Sequence, residues 1–270
     1  MTIWLNGHLV DAAGAVDATD RGVLLGDGLF ETIAFVDGVP LRFSRHISRL
    51  EQGATVLGMP VPAGSDDLLE AISALAINTG ITEGSVRITL LRGSGPRGVL
   101  PPPVPTPTLV VQLIPGTVGL SIPLKVIVAK STCRNERSPL SGIKSTNYLD
   151  AILARREAAD GGADDALMVN TQGRIAEASA ANVFCRFGDA LVTPPLIDGA
   201  LPGIMRQCVI DAEGAIEQSL PPAELHQADE IFLTSSLGVR AVVQVDDTVI
   251  GGAVPGKVAT RLADLPRRER

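Results

Sequence analysis

A mixed α/β (α+β) fold in two domains is what this sequence predicts, and three observations predict it. Short strand-forming runs outnumber helical ones and many meet at tight-turn dipeptides, which argues against a repeated βαβ wind. The run Leu100-Pro-Pro-Pro-Val-Pro-Thr-Pro107 places five prolines in seven residues, precluding a helix there and punctuating the chain. The length of 270 residues suits one large or two modest domains, each able to bury a core.

The elements follow in order. Trp4-Leu5 and Leu9-Val10 flank Asn6-Gly7, and Glu31–Val36 and Val39–Phe43 flank Asp37-Gly38, so two hairpins are expected. Ser44 stands where an N-cap belongs, before Ile47, Leu50, Ala54 and Leu57 at helical spacing. A second helix is expected from about Asp66 to Thr79, burying Leu68, Leu69, Ile72, Leu75 and Ala76, with Gly80 just past its end. Val86, Ile88 and Leu90 alternate with Arg87 and Thr89 as in a half-buried strand, and an apolar strand follows the prolines at Leu109–Ile114. Pro115-Gly116 then marks the boundary: a smaller N-terminal domain at 1–115, a linker at 116–122 and a larger domain at 123–270. In the larger domain, strands are expected at Lys125–Ala129, Ala166–Asn170, Asn182–Phe187, Glu230–Leu233 and Ala241–Val245, and helices at Tyr148–Ala159 and Ile204–Glu213.

Composition excludes several functions. Hydrophobic residues are 45% and charged residues 20%, as in a folded protein rather than a disordered one. With 23 Lys+Arg against 30 Asp+Glu the net charge is −7, no footprint for nucleic acid; the run Arg267, Arg268, Arg270 is expected to be a solvated tail. No stretch approaches the ~20 apolar residues of a membrane span, and the N-terminus lacks the basic start and apolar run of a signal peptide. Cys133, Cys185 and Cys208 lie too far apart for a metal knuckle or a disulfide framework. A cytoplasmic location is expected.

Two motifs fail on context. Gly93-Ser-Gly95-Pro-Arg-Gly98 matches G-x-G-x-x-G after a strand, but prolines stand where the pyrophosphate-binding helix should open, and no Asp or Glu occurs between Val99 and Lys130 for the ribose. Ser141-Gly-Ile-Lys144 matches S-x-x-K, but Pro139 and Gly142 disfavour the helix that chemistry needs, and no K-T-G or S-D-N accompanies it. His8, His46 and His226 fall in separate segments without ligand spacing, so no metal site is expected.

One constellation holds together. Lys144 follows the breaker-rich Ser138–Gly142 and precedes a helix, so it stands at a strand or loop end. Glu177 is embedded in small residues before the strand Asn182-Val-Phe. Leu201-Pro-Gly203-Ile204 opens a helix whose free N–H groups could hold an anion, and Thr234-Ser235-Ser236 ends an apolar strand in hydroxyls. At these residues the sequence resembles the fold-type IV pyridoxal-phosphate enzymes, which include branched-chain and D-amino-acid aminotransferases and 4-amino-4-deoxychorismate lyase. The resemblance runs through Asp20–Thr32, His46–Leu50, Arg92–Gly98, Gly142–Asn147, Glu177–Phe184, Gly203–Arg206 and Ala228–Ser236, in that order.

The resemblance implies pyridoxal 5'-phosphate as cofactor. It implies that Lys144 bonds to it and then moves protons, and that Glu177 pairs with its ring nitrogen. It assigns the phosphate to Arg49, the Gly203-Ile204 backbone, Ser235 and Ser236. It also implies a small N-terminal α/β domain, a larger barrel-like C-terminal domain and a homodimer with sites near the interface. Within the family, Gly93–Gly98, Ala181–Phe184, Gly203–Gln207 and Ser235–Val242 lean toward 4-amino-4-deoxychorismate lyase, which releases 4-aminobenzoate and pyruvate for folate synthesis. Arg97 and Phe30 would then bind substrate and Thr32 would assist proton delivery to the leaving group, although Thr32 equally suits a strand. The alternative is an aminotransferase for D- or branched-chain amino acids, with Arg97 on the α-carboxylate. The contact of Tyr148, the one tyrosine, with the cofactor is left open by a one-residue spacing difference among the relatives.

Overall fold

A computed structural model describes residues 1–119 and 122–268. Leu120 and Ser121 of the expected linker, and Glu269 and Arg270 at the end of the second domain and basic run, lie outside the described residues. The chain forms two compact units: Met1–Val118 with Ile143–Asn147, and Gly119–Gly142 with Tyr148–Arg268.

The first unit comprises β1 (Thr2–Leu5), β2 (His8–Asp11), α1 (Arg21–Leu25), β3 (Gly28–Val36), β4 (Val39–Pro40), α2 (Phe43–Leu57), α3 (Ser65–Thr79), β5 (Gly84–Leu91) and β6 (Thr108–Pro115). Its antiparallel sheet has the order β2-β1-β6-β5-β3-β4. Alternation sends Leu29, Ile33, Phe35, Val86, Ile88, Val111 and Leu113 to one face, where they pack on Ile47 and Leu50 of α2 and on Leu68, Ile72 and Leu75 of α3. The other face carries Phe30, Thr32, Arg87, Thr89 and Gln112, paired in register as Phe30 with Thr89 and as Thr32 with Arg87 with Gln112.

Four expectations here are corrected. α2 starts at Phe43 from Arg42 in a left-handed conformation (φ 52°), so Ser44 lies inside the first turn instead of capping it. β4 stops at Pro40, whose ring has no N–H for the ladder, and the chain turns directly into the helix. Leu69 is 37% exposed, because the buried stripe of α3 is Leu68-Ala71-Ile72-Leu75 and its neighbour points about 100° away. Ile143–Asn147, which the proline boundary assigned to the second domain, packs with the first unit: Ile143 joins its core, and Ser145 bridges Leu29.

The second unit comprises β7 (Leu124–Val128), α4 (Leu149–Asp160), β8 (Asp165–Val169), β9 (Ile175–Ala178), β10 (Asn182–Phe187), β11 (Ala190–Thr193), α5 (Ile204–Glu213), β12 (Ile216–Glu217), β13 (Glu230–Ser235), β14 (Gly238–Val245), β15 (Thr248–Val249), α6 (Lys257–Leu262) and α7 (Leu265–Arg268). Its mixed sheet runs β12-β11-β10-β13-β14-β7-β8-β9, with β15 on β14. β7 and β8 are parallel, so their connection must cross over, and α4 is that crossover. The sheet curls until its ends meet: the Ile175 N–H at one edge donates to the Leu220 carbonyl, just past β12 at the other, at 2.8 Å. Closure of this kind removes the open edges that would otherwise pair with foreign chains. One face packs Leu124, Val126, Leu167, Ile231, Leu233 and Val242; the other packs Phe184, Phe232 and Val239 under α5 and α6. Arg267, expected in a solvated tail, is exposed but belongs to α7. Among the described residues, no helix is long and apolar enough to cross a membrane.

Candidate active site

In the first unit, the lysine is placed by backbone pairing with the start of β3. The Phe30 N–H donates to the Lys144 carbonyl and the Thr146 N–H to the Gly28 carbonyl, each at 2.9 Å. The Thr146 hydroxyl and the Asn147 amide both donate to the carbonyl of Gly26, the left-handed C-cap of α1. These bonds leave the lysine side chain over the polar face of the sheet, half-buried, with Nζ 4.4 Å from the Phe30 ring centroid. The Arg87 guanidinium carbon stands 3.4 Å from the same centroid. Phe30 thus carries two cations on one aromatic ring, and Thr32 lies beside Arg87 in the next cross-strand row.

Behind the sheet, Glu31 is fully buried and its carboxylate faces α2. Arg49 Nε and Nη2 donate to its two oxygens at 2.8 and 2.6 Å, and His46 Nδ1 pairs with it at 2.7 Å. Burial would raise the Glu31 carboxyl, but hydrogen bonds from His46 and Arg49 and the Arg49 charge outweigh it and hold it at about 2. His46 goes down from its ordinary value because burial outweighs the adjacent carboxylate, so it is neutral near pH 7. Arg49, expected at the cofactor phosphate, is therefore anchored to Glu31 on its strand side. Arg97 is exposed on the loop after β5, and the loop backbone is held by Arg21, which donates to the Gly98 and Val99 carbonyls at 2.8 and 2.6 Å. The G-x-G-x-x-G run opens no helix, and of the S-x-x-K run only Ser141 and Gly142 lie in a short 3-10 turn, which excludes Lys144.

In the second unit, Glu177 sits on β9. Arg134 Nε lies 3.1 Å from one oxygen, and the other accepts the Leu201 N–H at 2.9 Å. The Asn182 amide donates to the Leu201 carbonyl at 2.9 Å, which ties the chain before α5 to β10. Gly203 is the N-cap of α5 and has no side chain to satisfy the first-turn N–H groups, Ile204 among them. A Cβ built on Gly203 would come within 1.9 Å of Asn182 Oδ1, so any larger residue there must displace the Asn182 amide. Thr234, in register with Asn182, is buried with a hydroxyl that has no partner among the described residues. Ser235 ends β13 and Ser236 begins its turn into β14. Tyr148 is the N-cap residue of α4 and is half-buried.

The family pattern described as amino-transferase class IV matches residues 28–245. The chain belongs to the class IV aminotransferases. Over 99% of its length, this class IV aminotransferase is 29% identical to the aminodeoxychorismate lyase of Bacillus subtilis, covering 94% of that protein. It is 28% identical to the D-alanine aminotransferase of Listeria monocytogenes, covering 97% of this chain and 93% of the relative. The branched-chain amino acid aminotransferase structure of Escherichia coli superposes with a TM-score of 0.91 at 26% identity, over 97% of this chain and 92% of that one. The fold is therefore fold-type IV, and the chain is an enzyme of a pyridoxal-phosphate-dependent family. Another similar structure, a branched-chain amino acid aminotransferase at 27% identity, holds N-(5'-phosphopyridoxyl)-L-glutamate.

The residues of this class IV aminotransferase fit that cofactor chemically. Lys144 offers an amine for its aldehyde, and Glu177 a carboxylate for its ring nitrogen. The uncapped start of α5 and the unpartnered Thr234 hydroxyl are donors suited to a phosphate. Three residues of this arrangement escaped the sequence. Arg134 stands in a loop with no pattern around it. Glu31 was hidden inside a strand run, its signal being His46 and Arg49 spaced i, i+3 on the next helix. Arg87 looked like the polar side of an alternating strand, and only the register places it on Phe30.

Proposed function

We propose that this class IV aminotransferase acts as a 4-amino-4-deoxychorismate lyase. The observation that carries the reading is the pair of cations on Phe30, with the Arg87 guanidinium 3.4 Å and Lys144 Nζ 4.4 Å from the ring centroid. A branched aliphatic substrate gains from an apolar pocket, whereas the face beside Lys144 is polar, with Arg87, Thr32, Thr89 and Gln112 in adjacent rows. The lyase's products, 4-aminobenzoate and pyruvate, each carry a carboxylate, so its substrate presents two, and Arg87 and Arg97 supply two guanidinium groups to hold them. Bound pyridoxal phosphate supplies an electron sink for charge developing next to the substrate amine. Lys144 would hold the cofactor at rest and, once freed by the substrate amine, take the proton from the adjacent carbon; Thr32 would assist proton delivery to the departing pyruvate; Glu177 would pair with the ring nitrogen, steadied by Arg134. Arg49, the Gly203-Ile204 backbone, Ser235 and Ser236 hold the phosphate.

The test is direct. Cofactor-loaded enzyme incubated with aminodeoxychorismate releases 4-aminobenzoate and pyruvate in equal amounts, and Arg87→Leu raises KM roughly tenfold or more. Aminotransferase activity is the second reading, favoured by the relatives named for branched-chain amino acids and D-alanine. It requires that D-alanine, L-leucine or L-glutamate alone bleach the long-wavelength absorption of the loaded enzyme. Rapid bleaching without 4-aminobenzoate formation selects it over the lyase.

The working form in this reading is a cytoplasmic homodimer. Val99, Leu100 and Val104 are 84–85% exposed on the Arg97 loop, an apolar patch suited to a second copy. Light scattering coupled to size exclusion should give twice the 28.1 kDa chain mass, and Leu100→Asp should shift it toward the monomer.

A further inference from the structure

The second unit holds a cluster of charge that the cofactor reading leaves unused. A cavity of about 120 Å³ is lined by Leu124, Leu233, Asp165, Ser235, Arg155 and Arg240, among others. Strand alternation puts Ser235 on the face of Ile231 and Leu233, opposite the face that Phe232 and Thr234 turn toward α5. Arg240 pairs with Leu233 across β13 and β14 and shares that face.

The cations are incompletely matched. Arg155 Nη1 donates to Asp165 Oδ2 at 2.8 Å, while the other Asp165 oxygen accepts from the Ser179 hydroxyl and the Ala166 N–H. Asp164, the next carboxylate, accepts the Lys125 N–H at 2.8 Å. Arg240 donates through Nε to the Ile122 carbonyl at 3.3 Å, and among the described residues no carboxylate lies within ion-pair distance of it. Burial first, and then the neighbouring Arg155 charge, pushes the Arg240 guanidinium down from its ordinary value, against a smaller opposing pull from the Asp164 and Asp165 charges. Two half-exposed guanidinium groups thus line the cavity with a single carboxylate, Asp165, and the positive charge left over suits a small anion.

We infer that this cavity binds a small oxyanion, held by Arg155 and Arg240. The volume sets the class of ligand. It exceeds the ~10–15 Å³ that one water needs and falls below the ~300 Å³ at which pockets begin to take drug-sized molecules. Inorganic phosphate or the carboxylate of a small acid fits that window; a nucleotide or an intact cofactor does not. The inference is independent of the reaction catalysed.

The test uses cofactor-loaded enzyme with cofactor in excess, so that the cofactor's own phosphate position is filled. Isothermal titration with inorganic phosphate, and in a parallel arm with acetate at matched ionic strength, should show saturable binding of one equivalent of at least one anion. The arm that saturates identifies the source. Arg240→Gln should weaken that binding roughly tenfold or more, and Arg240→Lys less, with the visible spectrum of the cofactor unchanged in both. If neither anion binds the wild-type enzyme saturably, the site does not exist, and this result needs no variant to fold. Binding that persists unchanged in both Arg240→Gln and Arg155→Gln places the anion elsewhere and equally overturns the inference.

Discussion

Glu31 shows how much a single side chain can carry. Its carboxyl titrates at about 2 when folded against 4.5 for the free group, so its contribution is complete above about pH 4.5 and fades as the pH falls toward 2. The difference is worth about 3 kcal/mol. His46 acts earlier: its folded value lies below 6.5, so acidification below about pH 6.5 protonates the unfolded chain first and already favours unfolding. Denaturant titrations across pH should therefore show stability falling in two stages. Glu31→Gln should abolish the lower stage and cost about 3–5 kcal/mol at neutral pH, since it leaves Arg49 buried without its anion. A variant that keeps the lower stage would assign it to other carboxylates. At this scale the candidate site was partly legible in the sequence. Lys144 and Glu177 stand in distinctive surroundings, punctuated by breakers or small residues. Arg134 and Arg87 do not, because their roles arise from partners 43 and 57 residues away, and a local pattern cannot encode them.

Among the elements, the entry to α5 has the least tolerance. Any Cβ at residue 203 meets Asn182 Oδ1 at 1.9 Å, so Gly203→Ala must displace the amide that fixes the Leu201 carbonyl. We expect about 1–3 kcal/mol of lost stability and weaker cofactor retention, measured by unfolding and by spectral titration of pyridoxal phosphate. Unaltered retention would show that the helix start holds no phosphate. The elements themselves were largely legible: α3, α4, α5 and the strands β5, β6, β7, β8, β10 and β13 lie within a few residues of where periodicity predicts them. The missed short strands share one cause. β11, β12 and β15 are two to four residues long and exist only because a neighbouring strand supplies their hydrogen bonds. α1 spans five residues, with exposed Val23, Leu24 and Leu25 and therefore no buried stripe to reveal it, although Asp20 and Gly26 cap its two ends.

At the scale of the whole molecule, punctuation by proline and glycine finds where the first sheet ends but not that the chain returns to it. Residues Ile143–Asn147 complete the first unit after the second has begun, because Ile143 fills its core and the Lys144 carbonyl takes the Phe30 N–H. The enzyme is consequently not divisible by one cut. A fragment ending at Val118 keeps all six strands of the first sheet yet lacks Lys144, the amine our reading gives to the cofactor, along with a core side chain. Added in trans, a synthetic peptide spanning residues 138–150 should raise the melting temperature of that fragment, and one carrying Ile143→Asp should not. In evolutionary terms, neither half could have been exchanged wholesale between relatives without a junction on either side of the lysine, so recombination within this family is expected to preserve 143–147 together with the sheet it completes.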